Sequence, residues 1–295
     1  MQTKLTEGFK NGWVISADGT RIGYRQIGNG PGLILLHGAL QSSLNFTELA
    51  KALSADFTVY LPDRRGRGLS GPYQAGDNLL TEANDLLAII HQTKTVNIFG
   101  LSSGAVITLQ ALMLENGLQK IALYEPPLAI AGHPFNTIEG PYQKALKDNN
   151  YGRAFVAILK DTGDDSLFSK LPAFITAPLI NWQMKSQLKN PAEDEIPLRV
   201  LVENFRQDRI IVNDSARLLP EIKDIPASML LLGGTKSADY LKKALDSLQQ
   251  IIPRARRIYL KGLGHIAADN SEQPLKVAEV LLDFFKVQDG LPITN

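Results

Sequence analysis

Between Leu33 and Tyr124 the chain repeats one unit, a short apolar run followed by a segment of helical periodicity, and this repetition constrains the fold more than any other feature. The runs are Leu33–Leu36, Phe57–Leu61, Val96–Phe99 and Ile121–Tyr124, and the helical segments fall around Leu49–Leu53, Asn78–Thr93 and Ala105–Glu115. A strand that is apolar at every position has to be covered on both faces. Strands joined through helices of this length pair in parallel by right-handed crossovers. The reading is an α/β domain with a mostly parallel sheet and helices on both faces. Ahead of it, Trp13–Ser16 and Arg21–Ile27 flank Ala17-Asp18-Gly19-Thr20, and an Asp-Gly pair between strand-like runs marks a hairpin, the one antiparallel pair expected.

The repeat stops at about Leu128. From there to Ile225 no short buried strand appears; helix-like segments at Tyr142–Lys147, Ala154–Lys160, Leu179–Leu188 and Leu198–Phe205 are interrupted by Pro172, Pro178, Pro191 and Pro197. The pattern resumes with Met229–Leu232, a helix at Asp239–Ile251, the run Arg257–Leu260 and a closing helix at Pro274–Phe285. Residues 1–127 and 226–295 therefore read as a core domain, and 128–225 as an all-helical cap inserted into it.

Composition removes several classes of function. Lys and Arg total 31 against 30 Asp and Glu, so nothing in the charge balance marks a nucleic-acid or anionic-membrane surface. A small-molecule partner is expected, with the chain a monomer or homodimer. The absence of cysteine excludes disulfides, thiolate metal sites and cysteine nucleophiles, and agrees with a reducing compartment. Met1–Trp13 has no apolar run of signal-peptide length and no stretch is long and apolar enough to span a bilayer, so a cytoplasmic location is expected.

Gly100-Leu101-Ser102-Ser103-Gly104 lies between the run Val96–Phe99 and the helix that follows. A nucleophile elbow needs this setting: the turn is sharp, so glycine flanks it, and the serine Oγ projects above the C-terminal edge of the sheet. The string alone also occurs in ordinary glycine-rich turns before helices. A base is sought among only four histidines, His37, His91, His133 and His265. His265 follows the last strand in a glycine-bracketed loop, the place for a base in the chain order serine, acid, histidine.

Together with Leu33–Ala39, which contains His37-Gly38, with Asp63–Ser70 (Asp-Arg-Arg-Gly-Arg-Gly-Leu-Ser) and with Gly262-Leu263-Gly264-His265, the elbow resembles the ordered motifs of the α/β-hydrolase superfamily over nearly the whole chain. The resemblance implies the α/β-hydrolase fold. It also implies an oxyanion hole made by the backbone N–H groups of Ser103, after the nucleophile, and Ala39, after His37-Gly38. The Asp63–Ser70 loop is expected to be structural. No metal or cofactor enters the implied mechanism.

The acid departs from the commoner pattern of that superfamily. The stretch after Met229–Leu232 reads Gly233-Gly234-Thr235-Lys236-Ser237, with no carboxylate where many members carry one. Asp239 comes later and begins a helix, where a capping role suits it. Glu125, in Tyr124-Glu125-Pro126-Pro127, ends the strand after the nucleophile helix, the strand end from which haloalkane dehalogenases and certain lactone hydrolases take their acid. Glu125 is the better match and Asp239 the alternative; a glutamate that only caps or salt-bridges at the cap junction stays open.

The serine, where epoxide hydrolases and haloalkane dehalogenases have an aspartate, points to carboxylic ester or lactone hydrolysis. Carbon–carbon bond hydrolysis, acyl transfer and cofactor-free peroxidation use a similar constellation, and a silent small-molecule receptor on the same fold is the alternative from another class. The cap supplies Phe135, Tyr142, Phe155, Phe168, Phe174, Trp182 and Met184, of which some are expected to line an apolar pocket and most to form the cap's own core.

Overall fold

Every residue of Asn97–Leu101 and Lys120–Tyr124 is buried, and these two strands lie at the middle of the sheet. The computed structural model describes residues 5–129, 139–162, 171–189, 195–222 and 225–286. Its strands are β1 (Lys10–Ile15), β2 (Arg21–Ile27), β3 (Gly32–Leu36), β4 (Thr58–Pro62), β5 (Asn97–Leu101), β6 (Lys120–Tyr124), β7 (Ser228–Gly234) and β8 (Arg256–Leu260). They form one sheet in the order β1-β2-β4-β3-β5-β6-β7-β8. From β4 to β8 all pairings are parallel.

Among the described residues the longer helices are α1 (Thr47–Leu53), α2 (Leu79–Thr93), α3 (Ser103–Leu114), α4 (Glu139–Lys147), α5 (Tyr151–Asp161), α6 (Ala173–Lys189), α7 (Leu198–Asp214), α8 (Asp239–Ile251) and α9 (Pro274–Lys286). The two-residue period of the strands divides the core into two layers. Ile34, Leu36, Ile98, Ile121, Leu123 and Leu231 face α2, α3 and α8. Leu33, Leu35, Phe99, Leu101, Tyr124 and Leu232 face α1 and α9. Helices α4 to α7 lie between β6 and β7 in the chain and share a third cluster of their own, including Tyr142, Met184 and Phe205. No helix of the described residues is long and apolar enough to cross a membrane.

Three details differ from the sequence reading. β2 is antiparallel to both β1 and β4, giving two antiparallel pairings rather than one, because β4 inserts between β2 and β3 in the sheet. Pro178 does not interrupt a helix but lies inside α6. The backbone bond it forfeits is to the carbonyl of Phe174, an exposed residue where water can replace the missing donor. Finally, α7 continues well beyond Phe205, to Asp214.

The insert's aromatic residues also sort out. Tyr142 and Met184 are core, and Phe155 packs against that core. Phe174 and Trp182 are 70% and 69% exposed and lie outside both that core and the pocket over Ser102. Phe135, Phe168 and His133 lie outside the described residues.

Candidate active site

The turn from β5 into α3 places Ser102 at φ 55°, ψ −127°, a left-handed conformation that costs a residue with a side chain about 1–3 kcal/mol. The surrounding bonds hold it there. Ser102 N–H donates to the Tyr124 carbonyl at the end of β6 (2.9 Å), and its own carbonyl accepts from Ala105 and Val106 of α3. The flanking glycines are required by contact. A Cβ on Gly104 would lie 2.5 Å from the His37 carbonyl oxygen, and one on Gly100 would lie 2.7 Å from Thr108 Oγ1.

His265 reaches this serine from the loop after β8. Its Nε2 lies 3.0 Å from Ser102 Oγ, and its Nδ1 lies 2.7 Å from Glu125 Oε2. A carboxylate at Nδ1 holds the proton on that nitrogen and leaves Nε2 to accept from the serine hydroxyl. Glu125 is fully buried, whereas the His265 side chain is 24% exposed. The second Glu125 oxygen accepts the N–H of Gly234 at 2.6 Å, and the Glu125 N–H donates to Leu232 at 3.0 Å. The end of β7, where the sequence lacks a carboxylate, thus supplies a backbone donor to the carboxylate of β6. Asp239 is elsewhere: its side chain is 89% exposed and pairs with Lys242. It also does not cap its helix, whose N-cap is Ala238, but lies in the first turn.

On the other side of Ser102 the His37-Gly38-Ala39 strand end packs tightly. A Cβ on Gly38 would stand 2.8 Å from Ser102 Cβ. His37 donates from Nδ1 to the Gly38 carbonyl (2.9 Å) and accepts the Arg64 N–H at Nε2 (3.2 Å). Burial holds its imidazole well below the usual histidine range, with the nearby Arg67 and Arg64 acting in the same direction, so His37 is neutral.

The Asp63–Ser70 loop ties this region together. Asp63 accepts from Arg25, Ser43 N–H and Leu69 N–H. Arg64 makes a two-pronged bond to Glu82 at 2.6 and 2.9 Å and reaches Asp208 of α7 at 2.6 Å. Arg67 binds the other Asp208 oxygen at 2.6 Å and the Gly38 carbonyl at 3.2 Å. Burial would raise the Asp208 carboxyl, but Arg64 and Arg67 outweigh it and hold it below the ordinary aspartate value. Nothing in the sequence marks Asp208, which lies in Gln207-Asp208-Arg209 between Phe205 and the apolar Ile210, Ile211 and Val212 of α7. The arginine-rich loop was the available signal, because buried guanidinium groups need carboxylates.

The description "Alpha/beta hydrolase family" fits residues 33–280 of the chain. The chain belongs to this family. Among solved structures, an alpha/beta hydrolase from Sphaerobacter thermophilus is 26% identical with a TM-score of 0.74, over 93% of this chain and 100% of that one. The enol-lactonase of Burkholderia xenovorans shares the fold at 19% identity and a TM-score of 0.69, over 94% and 100%. An sn-1-specific diacylglycerol lipase of Xenopus laevis, ABHD11, is 25% identical over 80% of this chain and 74% of its own length. An uncharacterized Mycobacterium bovis protein is 33% identical over 95 residues, so the matched stretch spans only 28% of that relative.

In this alpha/beta hydrolase a pocket opens over the serine, with Ala39, Ser102, Ser103 and His265 in its wall. The apolar lining includes Pro127 and, from the insert, Phe205 and Val212; Asp161, Arg209 and Tyr240 add polar groups. Of the residues singled out from the sequence, Ser102, His265, Glu125, Ala39, Ser103 and Gly38 converge at one place, and Asp239 does not.

Proposed function

We propose that this chain is a serine hydrolase that cleaves a carboxylic ester or lactone of a small, largely apolar molecule through an acyl-enzyme on Ser102. The observation that carries the reading is the continuous chain from Ser102 Oγ through His265 to Glu125, with spacings of 3.0 and 2.7 Å. His265 Nε2 takes the hydroxyl proton as Oγ attacks the acyl carbonyl, and Glu125 stabilises the imidazolium that forms. The carbonyl oxygen acquires negative charge and is met by the N–H groups of Ala39 and Ser103, both of which border the pocket. The proton on Nε2 then passes to the departing alkoxide. Water, deprotonated by the same nitrogen, releases the acid.

Residues 128–225 act in this reading as a cap over a core of 1–127 and 226–295, and the apolar side chains of Phe205 and Val212 favour an apolar substrate group. A lactone differs from an ester only in that its leaving alkoxide stays attached, so the same groups serve both.

Turnover of p-nitrophenyl esters and lactones of graded length tests the proposal. The parent chain should hydrolyse at least one series and be labelled by a fluorophosphonate, with both lost in Ser102→Ala. Labelling that persists in Ser102→Ala would overturn the assignment.

A further inference from the structure

The donors that meet the developing oxyanion are backbone groups, so their aim depends on whatever holds the peptide planes. We propose that Asp208, carried by α7 of the helical insert, is the positioning residue that fixes both of them. The inference rests on the reading of Ser102 as nucleophile and adds to it a role for a residue in another part of the chain.

One link from Asp208 runs through Arg67. The Gly38 carbonyl and the Ala39 N–H belong to a single peptide unit, and no peptide bond among the described residues is cis. In a trans unit the two groups point in opposite directions. The Gly38 carbonyl is held by His37 Nδ1 at 2.9 Å and Arg67 at 3.2 Å, so the Ala39 N–H is directed away from them, towards the pocket whose wall Ala39 forms. A cation on the carbonyl oxygen also polarises the unit and strengthens its N–H as a donor. Arg67 is in turn anchored by Asp208 Oδ2 at 2.6 Å.

The other link runs through Ser103. Its Oγ donates to Asp208 Oδ1 at 2.8 Å and accepts from Arg64 at 2.9 Å, while Arg64 itself binds that same carboxylate oxygen at 2.6 Å. This triangle pins the residue whose N–H is the second donor, at the first position of α3 where helix N–H groups lack intrahelical partners. The two oxygens of Asp208 therefore each govern one donor. The carboxylate is 2% exposed and its partners are arginines, which stay ionised throughout the working pH range. A permanent charge suits a group that must orient donors without moving protons.

The test compares the parent chain, Ser102→Ala, Asp208→Asn and Ser103→Ala by kcat and KM on a p-nitrophenyl ester and by the rate of phosphonylation with a fluorophosphonate. Loss of one whole oxyanion donor costs about 100- to 1,000-fold in kcat. Misaiming two should lower kcat of Asp208→Asn by about tenfold or more, with KM within about twofold and phosphonylation slowed in parallel. Ser103→Ala keeps the amide and the ion pairs and deletes only one link, so a smaller fall of about threefold or more is expected. It carries the test if Asp208→Asn does not fold.

A merely structural role would lower thermal stability without splitting kcat from KM. An unchanged kcat in the folded variant, or a loss expressed only in KM, overturns the inference while leaving Ser102 as nucleophile. A parent chain that neither turns over an ester nor is labelled overturns both.

Discussion

The two sides of Ser102 are built on opposite electrostatic plans. On one side stands a single imidazole, partly open to the pocket, facing a single buried carboxylate. On the other, Arg64, Arg65 and Arg67 are interleaved with Glu82, Asp85 and Asp208, their side chains all 8% exposed or less. The first arrangement leaves one imidazole nitrogen facing Ser102 at the pocket wall. The second keeps its arginines ionised, because guanidinium is always charged, and gives each carboxylate a guanidinium within hydrogen-bond distance, although burial pushes the Asp85 carboxyl up to about 6. The contrast separates what must change during a reaction from what must stay still. His37 sits at the border: chemically able to titrate, it is held neutral by burial and the arginine field.

Three experiments break or sharpen this contrast. The largest effect belongs to the imidazole side, where Ser102→Ala or His265→Ala should each lower ester turnover by about a millionfold and, if the proposed pair acts as a unit, the double variant should lose little more. Steady-state rates on the best p-nitrophenyl ester check this; additive losses would mean that the two residues do not act together.

The second effect belongs to the static side and concerns stability. Asp208→Ala strands the buried cation of Arg67 and leaves Arg64 with Glu82 alone, and breaking a buried pair this way costs about 3–5 kcal/mol. Urea unfolding of the parent and variant measures it. A loss well under 1 kcal/mol would show that water reaches the cluster.

The smallest is a pH effect at the border. The folded value of His37 lies below its unfolded value of about 6.5, so its contribution to stability is fully present above that pH. It is lost as pH falls towards the folded value, because only the unfolded chain binds the proton. The slope is at most about 1.4 kcal/mol per pH unit. Unfolding curves between pH 6.5 and 5 should therefore be flatter for His37→Gln than for the parent, and equal slopes would place a charged His37 in the folded state.

The core of the fold was legible because burial on both faces leaves an all-apolar run that no other element needs. The meeting of Ser102 and His265 was legible for a related reason: a sharp strand-to-helix turn needs glycine at its ends, and a histidine in the glycine-bracketed loop after the last strand lies at the same edge of the sheet. Glu125 was half legible, since the bare Gly233-Gly234 pair showed where the acid was not, but only the fold shows Gly234 donating to it. Pairings between elements distant in the chain left no local trace, which is why the β2–β4 contact went unseen. Asp208 was hidden by its company. It sits among the polar and charged residues Arg206, Gln207 and Arg209, which look solvated although Ile210, Ile211 and Val212 follow in α7, and its arginine partners lie on a loop more than a hundred residues earlier.

One measurement decides which carboxylate orients His265: ester turnover of Glu125→Gln beside Asp239→Asn. Replacing the orienting acid of such a triad by its amide costs about 10,000-fold in kcat. The geometry at His265 Nδ1 predicts a loss of that order for Glu125→Gln and a rate within about twofold of the parent for the exposed Asp239→Asn. A large loss in Asp239→Asn with Glu125→Gln nearly as active as the parent would contradict it.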